Sequence, residues 1–270
     1  MNASATVLDP RLDALIERVA ERQRSDFGHM ASDLKADGSL ITACDRWSDE
    51  ALVRGLSELY PGEGVLSEEG GKRVPQGNGY WVVDPLDGTT NFAAGIPYWA
   101  ISVARFEGGI PQLAILEVPP LRQRIVAVRG RGAWRNGNRL VPPASQPRLE
   151  GTACASLCSR SIRVLQCLPE RRFPAKIRLL GVASLNLVSV AMGQTVAALE
   201  ASPKIWDLAA SWLVLSELQC SMRWLARSPQ GIAPGTDLSS TDFPVLVADS
   251  PATLERFLPW AEVLGAGVEP

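Results

Sequence analysis

Three short acidic groups stand where apolar segments end or begin: Ser67-Glu68-Glu69, Asp84-Pro85-Leu86-Asp87-Gly88-Thr89-Thr90-Asn91-Phe92, and Trp206-Asp207. The middle group is the richest in chemistry. Residues 79–84 read as a buried strand that delivers Asp84 at its carboxyl end, and Pro85 interrupts the ladder beyond it. Asp87 arrives three residues later beside Gly88, which permits an unusual backbone angle or a close approach. Thr89 and Thr90 stand at an expected helix start, where free amides favour an anion. Carboxylates next to an amide-lined anion pocket suit Mg²⁺, which binds through a few carboxylates, waters and phosphate oxygens. Without a cation such carboxylates repel one another, and some of their pKa values rise. Asp-Gly by itself is an ordinary turn; the nine-residue string is far more specific.

The elements around these groups follow from capping and periodicity. Asp9-Pro10 reads as a helix start, followed by Leu12, Leu15, Ile16 and Val19 on one face. Residues 35–42 read as a turn centred on Gly38 between short extended segments, and Asp45 is placed to cap a second helix that stops at Pro61-Gly62. Residues 98–106, 112–118 and 124–128 read as strands, with Asn136-Gly137 as a hairpin turn. Residues 142–147, rich in proline, are the expected boundary between two lobes. Beyond them, residues 185–198 and 207–218 are expected as helices, 244–248 as a strand, and Ser250-Pro251 as the cap of a last helix. The class is mixed α and β.

Composition narrows the function. The 270 residues suit one large domain or two packed lobes. A net charge of −2 argues against nucleic acid held by bulk charge. The single histidine, His29, is expected in a surface loop and makes histidine-rich zinc sites and serine–histidine triads poor candidates. Five cysteines without a C-x-x-C pair read as free, mostly buried thiols of a reducing compartment. With no signal layout and no apolar run of about 18 residues, the expectation is a cytoplasmic protein without a membrane span. Arg129, Arg131, Arg135 and Arg139 read as a solvated strand face.

The string 84–92 resembles the signature of the inositol monophosphatase family, the Mg²⁺-dependent, lithium-sensitive sugar-phosphate phosphatases. The other segments resemble that family in order: Lys35 to Asp45 its upstream lysine, threonine and aspartate, Ser67-Glu68-Glu69 its paired glutamates, Gly130 to Gly137 its hairpin, and Trp206-Asp207 its second signature. The resemblance implies the sugar-phosphatase fold, an α/β (α+β layered) architecture of alternating α-β-α-β-α layers in two closely packed lobes. Lobe 1–145 would carry most metal ligands, and lobe 146–270 would supply Asp207 and substrate contacts. It implies two to three Mg²⁺ ions: one on Glu68, Asp84 and the Leu86 carbonyl, a second on Asp84, Asp87 and Asp207, and a weaker third leaning on Glu68. Thr89 with Asp45 behind it would orient the attacking water, with Glu69 in support. The Gly88 and Thr89 amides would hold the phosphate, and Asp87, Ala183, Glu200 and Asp207 would meet the substrate, as would Gly181.

Implied partners are a small-molecule phosphate ester and a second copy of the chain in a homodimer. Inositol monophosphate is the leading substrate. Histidinol phosphate, fructose 1,6-bisphosphate and 3′-phosphoadenosine 5′-phosphate are the alternatives. A regulatory protein of the same fold, working through RNA or polymerase, is the rival of another class. The chain departs from the family at Val182, where many members carry Ser or Thr, and at Glu217-Leu-Gln-Cys220, where Glu-Ala-Gly-Gly is usual. Both departures bear on substrate rather than on the metal ligands.

Overall fold

The computed structural model describes residues 8–29, 32–34, 40–143 and 153–265. Helix α1 (Pro10–Asp26) starts as expected, with the Asp9 side chain accepting from the Arg11 amide and Leu12, Leu15, Ile16 and Val19 buried. Strands β1 (Ser32–Leu34) and β2 (Leu40–Thr42) pair antiparallel; the Gly38 turn and Lys35 lie outside the described residues.

Helix α2 (Ala43–Leu59) is capped by Thr42 rather than by Asp45. The Asp45 amide donates to Thr42 Oγ1 at 3.3 Å, while Asp45 Oδ2 accepts from the Thr42 amide at 2.8 Å. This reciprocal capping box puts Asp45 in the first turn, tied at one oxygen and with the other free to face elsewhere.

A seven-stranded sheet follows in chain order: β3 (Gly64–Ser67), β4 (Gly79–Asp87), β5 (Ala100–Glu107), β6 (Ile110–Val118), β7 (Gln123–Val128), β8 (Gly132–Arg135) and β9 (Asn138–Arg139). Asn136 and Gly137 both take positive φ, 48° and 80°, as a tight hairpin turn requires. The short helix α3 (Thr89–Ala93) sits between β4 and β5. The second sheet has the order β11-β10-β12-β14-β13 and is built from β10 (Cys154–Leu157), β11 (Lys176–Arg178), β12 (Ala197–Glu200), β13 (Ser221–Trp224) and β14 (Val245–Ala248). Its helices are α4 (Val164–Cys167), α5 (Ala183–Ala191), α6 (Ile205–Glu217) and α7 (Pro251–Gly265).

Alternation along the strands divides the core. Trp81, Val83, Ile101, Val103, Ile115 and Val126 meet α1 and α2 on one face. Tyr80, Val82, Ala104 and Leu116 meet α5 and α6 on the other, together with Ala198, Val245 and Val247 of the second sheet. The far face of that sheet packs Ala197, Leu199 and Leu246 against Phe257 and Trp260 of α7. The order is therefore α-β-α-β-α.

Three expectations are corrected. The helix expected over 185–198 ends at Ala191, and β12 begins at Ala197. Gly193, with φ 72°, breaks the run, and β12 instead pairs with β10 and β14. The helix expected from Asp207 opens two residues earlier, at Ile205. Of the five free cysteines only Cys44 and Cys220 are buried, and Cys167 is exposed. His29 is exposed, as are Arg129, Arg131, Arg135 and Arg139. The expected lobe boundary falls largely on residues outside those described.

Candidate active site

The acidic groups converge at one end of the seven-stranded sheet. Strand β3 lies parallel to β4, and the Glu68 amide donates to the Val83 carbonyl, which brings Glu68 beside Asp84. Asp207, in the first turn of α6, is fixed by the Lys204 amide donating to its Oδ2 at 2.8 Å. One carboxylate oxygen each from Glu68, Asp84 and Asp207 lies within 4.8 Å of the others.

Such a cluster is electrostatically costly when bare. Burial pushes the Asp84 carboxyl well above its ordinary range, and the charges of Glu68, Asp87 and Asp207 push it further. Asp207 is raised by desolvation first and by Asp87 and Glu68 next. A divalent cation relieves that repulsion, so oxygen-only donors at this spacing fit Mg²⁺.

At Asp84 the β4–β5 register slips: Asp84 pairs with Ser102, and Asp87 pairs with Ala100. The extra residue makes a bulge around Pro85 and turns the loop into the pocket. The Leu86 amide donates to Asp84 Oδ1 at 3.0 Å. Gly88 takes φ 103°, and a Cβ there would stand 2.8 Å from Val182 Cγ2, so glycine is demanded twice over. Thr89 then opens α3, with its hydroxyl donating to Asp45 Oδ1 at 2.7 Å.

Asp87 is not in the three-carboxylate cluster. Its oxygens accept from the Ala183 amide at 3.3 Å and the Ser184 amide at 2.7 Å, across the gap to the second half of the chain. Val182, the cap residue of α5, makes no side-chain capping bond. Asp87 thus supplies from β4 the cap that a Ser or Thr at 182 would have given. Burial raises its carboxyl to about 6, against the pull of the Ser184 bonds.

The pocket holds about 380 Å³ and is lined by Glu68, Asp84, Leu86, Asp87, Gly88, Thr89, Gly181, Ala183, Glu200 and Asp207. Glu69, next in the Glu68 loop, is half-buried and is not among the lining residues. Glu200 is buried and accepts from Asn186 Nδ2 at 2.8 Å. Burial raises its carboxyl to about 8, against the pull of the Asn186 bond.

Four further lining residues, Cys158, Arg160, Asn186 and Ser202, carried no sequence signal. Arg160 reaches Ser202 Oγ at 2.5 Å and places the cation on the pocket rim. A larger cavity, about 500 Å³, lies against Asp13, Glu17, Glu117 and Arg124. Its acids Asp13, Glu17 and Glu117 are paired with Arg124.

Five alternating layers, with Glu68, Asp84 and Asp207 gathered at one end of the first sheet, define an α/β protein. The chain belongs to the inositol monophosphatase family, whose model matches residues 8–250. It is 33% identical over 217 residues to a histidinol-phosphatase of Mycobacterium tuberculosis, covering 76% of this chain and 82% of the relative. It is 37% identical over 181 residues to the Nus factor SuhB of Xylella fastidiosa, covering 64% of each. The solved structure of a Thermotoga maritima IMPase superposes with a TM-score of 0.77 at 23% identity, over 95% of this chain and all of that one, and speaks for the fold alone. The family and the phosphatase relatives support phosphatase chemistry.

Proposed function

We propose that the chain is a Mg²⁺-dependent phosphomonoesterase acting on a small polyol or sugar phosphate, inositol monophosphate first. The observation that carries the reading is the approach of Glu68, Asp84 and Asp207 within 4.8 Å beside the start of α3. Glu68, Asp84 and the Leu86 carbonyl would hold one ion, Asp84, Asp87 and Asp207 a second, and Glu68 would contribute to a third. Mg²⁺ there would supply Lewis acidity toward the phosphoryl oxygens and lower the pKa of a bound water.

The chain's own groups do the rest. The Thr89 hydroxyl donates its hydrogen bond to Asp45 Oδ1, which leaves an oxygen lone pair that would accept from and orient a water molecule. Asp45 is held in turn by the Thr42 amide, which fixes the pair, and Glu69 would act in support. The Gly88 and Thr89 amides would hold the phosphate. Glu200, the Ala183 backbone and the carboxylates of Asp87 and Asp207 would bind sugar hydroxyls.

On this reading the chain divides into lobes 1–145 and 146–270, works as a cytoplasmic homodimer and is inhibited by lithium. No helix of the described residues is long and apolar enough to cross a membrane. The test is phosphate release with Mg²⁺ from inositol 1-phosphate, histidinol phosphate, fructose 1,6-bisphosphate and 3′-phosphoadenosine 5′-phosphate. Asp84→Asn and Asp207→Asn should each abolish turnover, and full activity in either variant refutes the ligand assignment. Similarity to Nus factor SuhB proteins favours one second reading, a regulatory protein acting through RNA or polymerase. Binding of such a partner with no phosphate released from any ester would establish it.

A further inference from the structure

Gln23 interrupts the apolar face of α1 one turn after Val19, and it is fully buried. Its amide is saturated. Nε2 donates to the Pro85 carbonyl at 2.7 Å and to Ser48 Oγ at 3.1 Å, while Oε1 accepts from Trp99 Nε1 at 3.0 Å. The partners come from β4, from α2 and from the residue before β5, the three segments that enclose the acidic loop.

The Pro85 carbonyl needs such a donor because of the bulge. Between Asp84 and Asp87 the β4–β5 register shifts, so Pro85 drops out of the ladder while staying buried. The other end of the same peptide is also committed, since the Leu86 N–H donates to Asp84 Oδ1 at 3.0 Å. A peptide unit is planar, and its C=O and N–H point in opposite directions. Holding the carbonyl therefore aims the N–H, and the N–H orients the Asp84 carboxylate.

We propose that Gln23 is a positioning residue for the cation site: its amide clamps the Pro85–Leu86 peptide and through it sets the orientation of Asp84. The inference rests on the reading of Asp84 as a metal ligand. It ties α1, which contributes no residue to the pocket, to the affinity for the ion.

The test compares Gln23→Met, which keeps length but loses the donor, and Gln23→Asn, which keeps the amide one methylene short, with Ser48→Ala. The last removes the other acceptor of Nε2 and leaves the Pro85 bond. Mg²⁺ binding to the full chain is measured by calorimetry without substrate, and folding by thermal unfolding in EDTA. Both Gln23 variants should raise the Mg²⁺ Kd at least tenfold, whereas Ser48→Ala should change it less than twofold even where its Tm falls as far. In the assay, the half-saturating Mg²⁺ concentration should rise while KM at saturating Mg²⁺ stays within twofold. If Gln23→Met does not fold, Gln23→Asn decides alone. Wild-type Mg²⁺ affinity in the Gln23 variants, or an equal loss in Ser48→Ala, overturns the proposal and leaves the phosphatase reading standing. A wild-type chain that binds no Mg²⁺ overturns both.

Discussion

Without metal, the protein should lose stability as pH rises from 5 to 8, and Glu200 should be one of the groups that cause the loss. Glu200 titrates at about 8 in the folded chain against 4.5 ordinarily, and Asp87 at about 6 against 3.8. The folded state therefore holds protons that the unfolded chain has released. That stability is complete below the unfolded values and is lost as pH climbs through the folded ones. At about 1.4 kcal/mol per unit, the loss between pH 5 and 8 is about 3 kcal/mol from Glu200 and about 1 kcal/mol from Asp87. Asp84 and Asp207 act in the same direction. Glu17, held low by its bond to Arg24, has the opposite sign, but its contribution is already complete above pH 5. For a chain of this length about 4 kcal/mol corresponds to roughly 10–15 °C in Tm. The assay is scanning calorimetry in EDTA across that range, on wild type and Glu200→Gln, whose amide oxygen can still accept from Asn186. The variant should lose about 3 kcal/mol of that pH dependence, the part that Glu200 supplies. Adding Mg²⁺ should raise Tm more at pH 8 than at pH 5, because binding needs ionised carboxylates. Equal metal-free stability at pH 5 and 8, or an undiminished slope in Glu200→Gln, refutes the reasoning.

Three further outcomes follow from local geometry. Thr89→Ala should lower kcat by about 10²–10⁴ with little change in KM, and Thr89→Ser should restore most of it; a loss under threefold removes Thr89 from the chemistry. Val182→Thr puts a hydroxyl at a fully buried position whose helix Asp87 already caps, so it should destabilise the fold by about 1 kcal/mol in urea unfolding, and a gain in stability would show that Asp87 leaves that terminus under-capped. Gln219 holds φ 57°, so Gln219→Gly should add about 1 kcal/mol of stability, and no rise in Tm contradicts the strain.

Part of the candidate site was legible because Asp84, Leu86, Asp87, Gly88 and Thr89, which all line the pocket, sit in one contiguous string. Residues 84–92 carry the strand end, the bulge proline, the left-handed glycine and the helix start in the order in which they are used. The layers were legible only through resemblance, since periodicity reports an element's faces and not its neighbours. The helix expected over 185–198 shows the limit: Ala197, Ala198, Leu199 and Glu200 suit a helix locally, but a strand between β10 and β14 buries all four. Gln23 and Arg160 were illegible for another reason. Each is a lone polar residue whose partners lie far along the chain, at Pro85 and Ser202. Asp45 was given the wrong task because a capping box and a single cap look alike until Thr42 is placed.

The bonds from Ala183 and Ser184 to Asp87 join positions 96 and 97 residues apart. They make the cleft a late product of folding, since closure over that span must precede any reward from it. One wall of the pocket, with Asp84, Asp87 and Thr89, rests on β4 and α3, and the facing wall, with Ala183 and Asn186, rests on α5. A fluctuation that parts α5 from β4 bares two amides and strands one carboxylate in a single event. The cleft then vanishes as a unit instead of fraying at its rim, and an unbroken recognition surface becomes a signature of a chain whose two halves have both finished folding.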